Sequence, residues 1–330
     1  MRTPDFWRAE GLASRLLSPI GALYGAIAQR RLRRAAPRAA LPTIVVGGLT
    51  TGGDGKTPLA ILVAQLLESQ GETPAVLTRG YGGRRDHAAP FVVEPRARSD
   101  LVGDEALLLA DHALTIVGVD RAASAGLARE KGATVLVLDD GFHSRRLAPD
   151  MTILAIDADY GAGNGRCIPA GPLRAPLDAQ FAAADALVLI GDGAAGKAIA
   201  ARAAKPVFEA HTVPDWQIAH ELKGARVVAF AGIGRPAKFF ETLRETGAEV
   251  VATRSFPDHH RFSDADLAEL AELRRKHGGR LVTTMKDAMR LHHQGLDVCA
   301  LPICLSVQNI EGLAGTLTDA LARARVSRAS

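Results

Sequence analysis

The distribution of apolar residues along the chain predicts an α/β fold. Between residues 43 and 192, short apolar runs alternate with helical stretches, and each run is apolar enough to form a strand buried on both faces. These predicted strands are 43–48, 74–80, 133–141, 151–157 and 186–192. Their alternation with helices is typical of a doubly wound, mostly parallel sheet.

A second α/β series begins after a polar stretch at 210–223. Its predicted strands are 225–234, 249–256, 280–287 and 298–305. We therefore expect a second, smaller α/β domain. The predicted units are 1–38, 39–215 and 216–330, namely an N-terminal helix with a basic flank, a large domain and a smaller domain that closes the cleft between the two.

The N-terminal segment 6–27 has apolar residues at helical spacing, which predicts an amphipathic helix kinked at Pro19. A run of basic residues follows it: Arg30, Arg31, Arg33, Arg34 and Arg38. Such a helix with a basic end can lie in an anionic membrane surface. It can equally pack on a protein core and leave a solvated basic tail, and the pattern alone does not decide between the two.

Composition places the chain among folded proteins of a reducing compartment. With 330 residues and 47% hydrophobic content it can bury the cores of two domains, and its formal net charge is only +4. The cysteines at 167, 299 and 304 have no metal-ligand spacing. No cleavable secretory signal is recognisable at the N-terminus, so we expect the protein body in the cytoplasm. A short basic run without interleaved aromatic residues argues against nucleic-acid binding.

A phosphate-binding loop is predicted in the segment VVGGLTTGGDGKTPLA, residues 45–60. It lies between a predicted strand and a predicted helix, which is the arrangement that the motif G-x-x-x-x-G-K-[ST] requires. Glycines there bring backbone N–H groups close to an anion at a helix N-terminus. The motif's first glycine is replaced by Thr50. The predicted nucleotide-binding residues are Gly52, Gly53, Asp54, Gly55, Lys56, Thr57 and Pro58.

Paired carboxylates at the end of a predicted strand indicate a cation site. Asp139 and Asp140 lie at the carboxyl edge of the sheet, where open α/β folds bind ligands. With Thr57 they are candidate ligands of Mg²⁺, which prefers oxygen. Three further segments have polar residues next to predicted strands or helices: Asp104 and Glu105, His259 and His260, and Lys286 and Asp287. Taken singly, each also fits a helix cap, a loop or a surface pair.

Taken in order, eight segments resemble the tetraacyldisaccharide 4'-kinases of lipid A biosynthesis. They are GGLTTGGDGKTP, RGYGG, GDEALLLA, LDDGF, PAGPLRAPL, AGIGRP, FPDHHRFSDADL and TTMKDAMRL, and they extend from about residue 10 to about residue 310. The family's loop also has threonine at the position of Thr50. The resemblance implies a P-loop NTPase-type fold, with ATP and Mg²⁺ as cofactors.

The resemblance also implies a reaction and a set of residues. The γ-phosphate of ATP would pass to the 4'-hydroxyl of a tetraacylated, 1-phosphorylated glucosamine disaccharide at the cytoplasmic face of the bacterial inner membrane. Asp104 would act as the base, helped by His259, and Lys56 would contact the transferred phosphate. Tyr81 and Arg174 would contact the nucleotide and its phosphates, and Glu105 would join the metal site. The lipid and the anionic membrane surface are the implied partners, and no obligate protein partner is evident.

The chain departs from the family's pattern at one motif, and another function is also considered. Where the family commonly reads D-D-G-F/L-Q-H, this chain has His143 and Ser144 in the last two positions. The rival function is a switch ATPase of the partitioning or targeting class, whose loop has a similar ending. That class has a signature lysine before the paired glycines, whereas Thr51 occupies the position here.

Overall fold

A computed structural model describes residues 4–83, 89–94, 97–234, 236–258, 260–292 and 294–329. The strands are β1 Thr43–Gly48, β2 Pro74–Thr78, β3 Phe91–Val92, β4 Leu114–Val117, β5 Val135–Asp139, β6 Met151–Asp157, β7 Ala186–Ile190, β8 Val207–Pro214, β9 Arg226–Ala231, β10 Glu249–Ser255, β11 Arg280–Thr284, β12 Cys299–Leu301 and β13 Ile303–Val307. The helices are α1 Leu12–Arg33, α2 Lys56–Ser69, α3 Ser99–Val102, α4 Asp104–Ala110, α5 Arg121–Glu130, α6 Leu177–Ala182, α7 Ala194–Ala201, α8 Trp216–Leu222, α9 Pro236–Glu245, α10 Asp264–His277, α11 Met285–Leu291 and α12 Ile310–Ala329. A 3₁₀ turn, Asp5–Trp7, precedes α1.

The larger of two sheets has nine strands within the described residues, in the order β13-β8-β7-β6-β1-β5-β2-β4-β3. All pairs are parallel except those of β13 with β8 and of β3 with β4 at the two edges. Strand β1 lies between β5 and β6. The chain therefore winds outward from β1 in both directions, which brings the carboxyl ends of these three strands to one edge of the sheet.

Helices cover both faces of this sheet. Residues of α2 and α12, such as Leu59 and Leu317, pack with Ile44 and Ile153 on one face. On the other face, residues of α5, α6 and α7 pack with β-strand residues such as Leu136 and Leu154. Because both faces are covered, β1 is buried along its whole length, as the continuous apolar run at 43–48 predicts.

The smaller sheet has four parallel strands in the described part of the chain, in the order β10-β9-β11-β12. Helix α9 packs Phe239 and Leu243 on one face, and α10 packs Leu270 on the other. The polar stretch at 210–223, expected to separate two units, contains the end of β8 and all of α8.

The predicted single strand at 298–305 is wrong, because the segment is divided between the two sheets. β12 pairs with β11, whereas β13 pairs with β8. Pro302 separates them, and a proline cannot donate a backbone hydrogen bond. Its carbonyl oxygen accepts from the amide of Asp215 at 2.9 Å. The expected 216–330 unit therefore contributes to both sheets, since α12 also packs on the large one.

Helix α1 lies on the protein through small residues and through Leu32 near its end, and it leaves most of its large apolar residues outside. Gly21 and Gly25 are buried, with Gly25 facing Cys167 and Pro176. The exposed residues are Leu12, Leu16, Ile20, Leu23, Tyr24 and Ile27, of which Leu16 is 72% exposed. The helix continues through Pro19 and contains most of the basic run, because it extends to Arg33. Packing on the core therefore does not account for the apolar stripe. Within the described residues, no helix is long and apolar enough to cross a membrane.

Candidate active site

The predicted phosphate loop connects β1 to α2, and its backbone has the conformation that the glycines allow. Gly53 and Gly55 have φ angles of 75° and 82°, in the left-handed region. Helix α2 begins at Lys56, and the residue before it, Gly55, has no side chain that could cap the N-terminus. Because the first N–H groups of a helix have no partner within it, this end is suited to bind an anion. All seven predicted loop residues lie on this loop or on the first turn of α2: Gly52, Gly53, Asp54, Gly55, Lys56, Thr57 and Pro58.

Strand β5 delivers Asp139 to the same place, because it pairs with β1 so that Asp139 stands opposite Val46. The Thr57 hydroxyl lies 3.5 Å from Oδ2 of Asp139. The other carboxylate oxygen, Oδ1, is buried and has no hydrogen-bond partner among the described residues. Burial, followed by the negative charges of Glu105 and Asp140, raises the pKa of Asp139 to about 7. A bound cation would relieve this unfavourable burial of charge.

These residues fit the ligand preference of a magnesium ion. The unpartnered oxygen of Asp139 and the adjacent Thr57 hydroxyl are hard oxygen ligands of the kind that Mg²⁺ selects. In the described ranges, no group of three or more His, Cys, Asp or Glu side chains could hold a metal ion by itself. Asp140, the second predicted carboxylate, has a left-handed φ of 52° and accepts a hydrogen bond from the Arg174 guanidinium.

Asp104 and Glu105 open helix α4, where each forms an ion pair with a residue of α11. The Arg290 guanidinium donates to Oδ2 of Asp104 from Nε at 2.8 Å and from its Nη2 at 2.5 Å. Lys286 donates to Glu105 at 3.1 Å. Since α4 belongs to the large sheet's half and α11 follows β11 of the small sheet, the two ion pairs join the two halves of the molecule.

Arg290 is a residue that the sequence reasoning did not single out. Its side chain is 7% exposed, and besides Asp104 it donates to the Gly232 carbonyl at 3.1 Å and to Asp287 at 2.8 Å. Asp287 is fully buried and also accepts from the Thr284 hydroxyl and from the amide of Gly232. The available signal was spacing: Arg290 stands four residues after Lys286, on the same face of a helix.

The remaining predicted residues have different surroundings. Tyr81 lies on the turn after β2 with its side chain 80% exposed. The backbone of that turn packs on Gly103, where an added Cβ would lie 2.4 Å from the Tyr81 carbonyl oxygen. His259 falls outside the described residues. Its neighbour His260 lies 3.0 Å from an Asp266 carboxylate oxygen and stacks on Phe256, which gives it a place in the smaller half's own packing.

His143 is buried under the phosphate loop. Its Nε2 lies 3.1 Å from the Gly48 carbonyl oxygen, and burial lowers its pKa to about 3. The imidazole is therefore neutral at physiological pH and donates to that carbonyl from Nε2. Ser144 donates to the carbonyl of Gly141 at 2.9 Å. The two positions at which the chain departs from the family's pattern thus support the backbone around β1 and β5.

Comparison with known proteins shows which family the chain resembles over nearly its whole length. A family model described as tetraacyldisaccharide-1-P 4'-kinase matches residues 13–322. The chain is 47% identical to the tetraacyldisaccharide 4'-kinase of Bradyrhizobium sp. (strain BTAi1) over 337 residues, which cover 98% of this chain and 97% of the relative. It is 49% identical to the enzyme of the same name from Methylobacterium nodulans over 311 residues, or 92% and 91% of the two chains.

The fold has a solved counterpart. It is similar to the crystal structure of LpxK from Aquifex aeolicus in complex with ATP, with a TM-score of 0.74 and 28% sequence identity. The similarity covers 93% of this chain and 99% of that one. The predicted fold class, with a large, mostly parallel sheet and an N-terminal helix, is confirmed. The kinase is therefore supported over the switch ATPase, and the chain belongs to the tetraacyldisaccharide-1-P 4'-kinase family.

Proposed function

We propose that the chain transfers the γ-phosphate of ATP to the 4'-hydroxyl of tetraacyldisaccharide 1-phosphate, with Asp104 as the base, at the cytoplasmic face of the bacterial inner membrane. As a member of its family it is an ATP-dependent lipid A 4'-kinase. One observation supports the site most directly: the Thr57 hydroxyl, on the first turn of α2, lies 3.5 Å from Oδ2 of buried Asp139 at the end of β5. The phosphate loop and the acidic end of this strand therefore form one site.

The phosphate loop would hold the nucleotide. Backbone N–H groups of the loop and of the first turn of α2 would surround the phosphates, and Lys56 would contact the β- and γ-phosphates. Thr57 and Asp139, with Asp140 and Glu105 nearby, would hold Mg²⁺, which neutralises negative charge on the phosphates when bound. Arg174 is suited to a phosphate because a guanidinium can donate two parallel hydrogen bonds. We assign Tyr81 to the nucleotide side on the resemblance alone.

Asp104 would orient the sugar hydroxyl and accept its proton. A sugar hydroxyl is too weakly acidic to lose its proton early, so a carboxylate within hydrogen-bond reach is useful late in the transfer. The Arg290 guanidinium binds the Asp104 carboxylate at the start of α4. His259 remains the proposed helper of this base. The predicted units 39–215 and 216–330 would then close on the substrate along the interface of α4 with α11.

The exposed apolar stripe of α1 would hold the enzyme on the membrane. An acylated disaccharide does not leave a bilayer easily, because each buried CH₂ stabilises it there by about 0.8 kcal/mol. Leu16, Ile20 and Leu23 are more than half exposed and point away from the protein body. The basic residues at the end of the same helix suit an anionic leaflet. These features support an enzyme that works at the membrane surface.

The test is phosphorylation of the lipid by purified protein in detergent micelles with Mg²⁺ and labelled ATP. We expect the parent to label the tetraacylated disaccharide 1-phosphate and Asp104→Ala to lose about 100-fold or more of this activity, the usual contribution of a general base. ATP affinity should stay unchanged in this variant. The matched control is Asp111→Asn, which alters a carboxylate at the other end of α4. ATP hydrolysis at the same rate with and without the lipid, with no labelled lipid formed, would refute the proposal.

A further inference from the structure

The threonine that replaces the first glycine of the phosphate-loop motif has a specific partner four residues later. The backbone amide of Thr50 donates to Oδ2 of Asp54 at 2.9 Å, and its hydroxyl donates to Oδ1 at 2.5 Å. Both side chains are buried, with Asp54 2% exposed. The hydroxyl also lies 3.2 Å from the carbonyl oxygen of Gly52. One residue thus occupies both oxygens of the Asp54 carboxylate.

We propose that Thr50 and Asp54 form a clasp that holds the phosphate loop in its binding conformation before the nucleotide arrives. The inference rests on the proposed ATP site and concerns residues that position that site and do not themselves touch the reacting atoms. Between 51 and 55 the loop reads TGGDG, and Asp54 is its one buried residue. A segment with three glycines loses much conformational entropy when it is fixed, so a buried anchor is needed to keep it ordered.

The space for Asp54 is built into β1. A Cβ added at Gly48 would lie 2.3 Å from Oδ2 of Asp54, which is far too close. Gly48 therefore leaves room for the carboxylate behind the loop. Burial raises the pKa of Asp54, against the opposing effects of Lys56 and Thr50. The hydrogen bonds from Thr50 offset part of the cost of placing this carboxyl in the interior.

The clasp also keeps Asp54 away from the nucleotide. An aspartate next to the start of a helix commonly caps its N-terminal N–H groups, and these are the groups that would bind phosphate here. The residue before α2, Gly55, has no side chain that could cap the helix. Since both oxygens of Asp54 accept hydrogen bonds from Thr50, the carboxylate does not compete with the phosphates for the helix N-terminus.

Thr50 further connects the loop to the segment that contains Arg174. It forms a β-bridge with Leu173, and the next amide, that of Thr51, donates to the Pro172 carbonyl at 3.1 Å. The Arg174 amide donates to the Leu49 carbonyl at 3.3 Å. A loop that shifts at Thr50 would therefore also displace Arg174, so the clasp fixes two phosphate-side elements at once.

The experiment measures ATP dissociation constants and steady-state KM for ATP in four proteins: the parent, Thr50→Val, Thr50→Ser and Asp54→Leu. Valine has nearly the volume of threonine and removes the hydrogen bond from the hydroxyl to Oδ1 of Asp54. Leucine has the branched shape of aspartate and removes both acceptor oxygens, whereas serine keeps the hydroxyl. We expect Thr50→Val and Asp54→Leu to weaken ATP binding about tenfold or more, the effect of leaving one buried polar group unpaired. The serine variant should stay within about twofold of the parent, because it leaves no buried polar group unpaired.

A double variant, Thr50→Val with Asp54→Leu, shows whether the two residues act as a unit. If they do, it should bind ATP no more weakly than the weaker single variant, since both changes remove the same interaction. ATP binding is compared well below each protein's Tm, which separates positioning from loss of fold. If Asp54→Leu does not fold, the comparison of ATP affinity between Thr50→Val and Thr50→Ser still tests the clasp.

Two outcomes would overturn the clasp. One is parent-like ATP affinity in Thr50→Val, and the other is a serine variant as weak as the valine variant. A parent protein that does not bind ATP would instead refute the proposed function. The two failures are therefore distinguishable in the same set of measurements.

Discussion

The ion pair of Arg290 with Asp104 predicts an unequal effect of two similar mutations on stability. Arg290→Met removes a guanidinium that is 7% exposed from a carboxylate that is 14% exposed. It also removes one of the hydrogen bonds of fully buried Asp287. Breaking a buried pair by removing one partner costs about 3–5 kcal/mol, because the remaining charge stays buried. We expect a loss of this size in the free energy of unfolding.

Lys286→Met is the matched control, because it changes the same helix, removes one positive charge and introduces the same residue. The Lys286 and Glu105 side chains are 32% and 38% exposed, so water can solvate the Glu105 carboxylate that remains after the change. Pairs of this kind contribute about 0–1 kcal/mol. The two variants should therefore differ by at least about 2 kcal/mol, although each loses one ion pair between α4 and α11.

Urea unfolding followed by circular dichroism measures the difference. The denaturation midpoints should separate at an unchanged m-value, since the surface exposed on unfolding is the same. Raising the salt concentration should lessen the small effect of Lys286→Met more than the effect of Arg290→Met, because exposed charges are screened more strongly. Equal losses in the two variants, or a loss below about 1 kcal/mol for Arg290→Met, would refute the view that burial decides the strength of this contact.

Three further predictions concern other parts of the molecule. The pKa of Asp139 is raised from 3.8 to about 7, so the ionised form destabilises the fold and, without Mg²⁺, the free energy of unfolding falls as pH rises between these two values. Asp139→Asn should become increasingly more stable than the parent over this pH range. A stability difference that does not change with pH would contradict the raised pKa. Replacing Leu16 and Leu23, which are 72% and 65% exposed, by glutamate should weaken binding to anionic vesicles without lowering Tm; unchanged vesicle sedimentation would argue against the membrane face. In Gly21→Leu the new Cβ would lie 2.7 Å from the Cys167 carbonyl oxygen, so α1 should pack less well on the protein. We expect trypsin to cleave this helix faster and ATP affinity to stay unchanged; an unchanged rate of cleavage would contradict this contact.

The sequence was most informative where a function depends on neighbouring residues. The phosphate loop needs a strand, a run of glycines, a lysine and a helix within about twenty residues, and these are read directly from the order of residue types. The predicted loop residues therefore lie between β1 and the first turn of α2, and the paired aspartates lie at the end of β5, as expected. Their roles in ATP and Mg²⁺ binding remain predictions.

The sequence was least informative where interacting residues are far apart in the chain or where one sequence pattern fits two structures. The pair of Arg290 with Asp104 joins positions 186 residues apart, and the spacing of Arg290 from Lys286 does not show that this arginine is buried. The amphipathic pattern of α1 fitted both a core helix and a surface helix. Only the packing of Gly21 and Gly25 on the body determined which face is left outside.

The sequence by itself thus determined the fold class, most of the strands and the place of the phosphate loop, because periodicity, glycine content and helix starts act over a few residues; the predicted strands did not include β3, β4 or β8. Only the tertiary structure decided that β12 and β13 belong to different sheets, that Thr50 holds Asp54, and that Arg290 holds Asp104. These outcomes depend on which surfaces meet after the chain has folded. Burial and charge then determine which residues pair. The burial of a residue depends on segments that are far away in the chain, so it cannot be read from the residues around it.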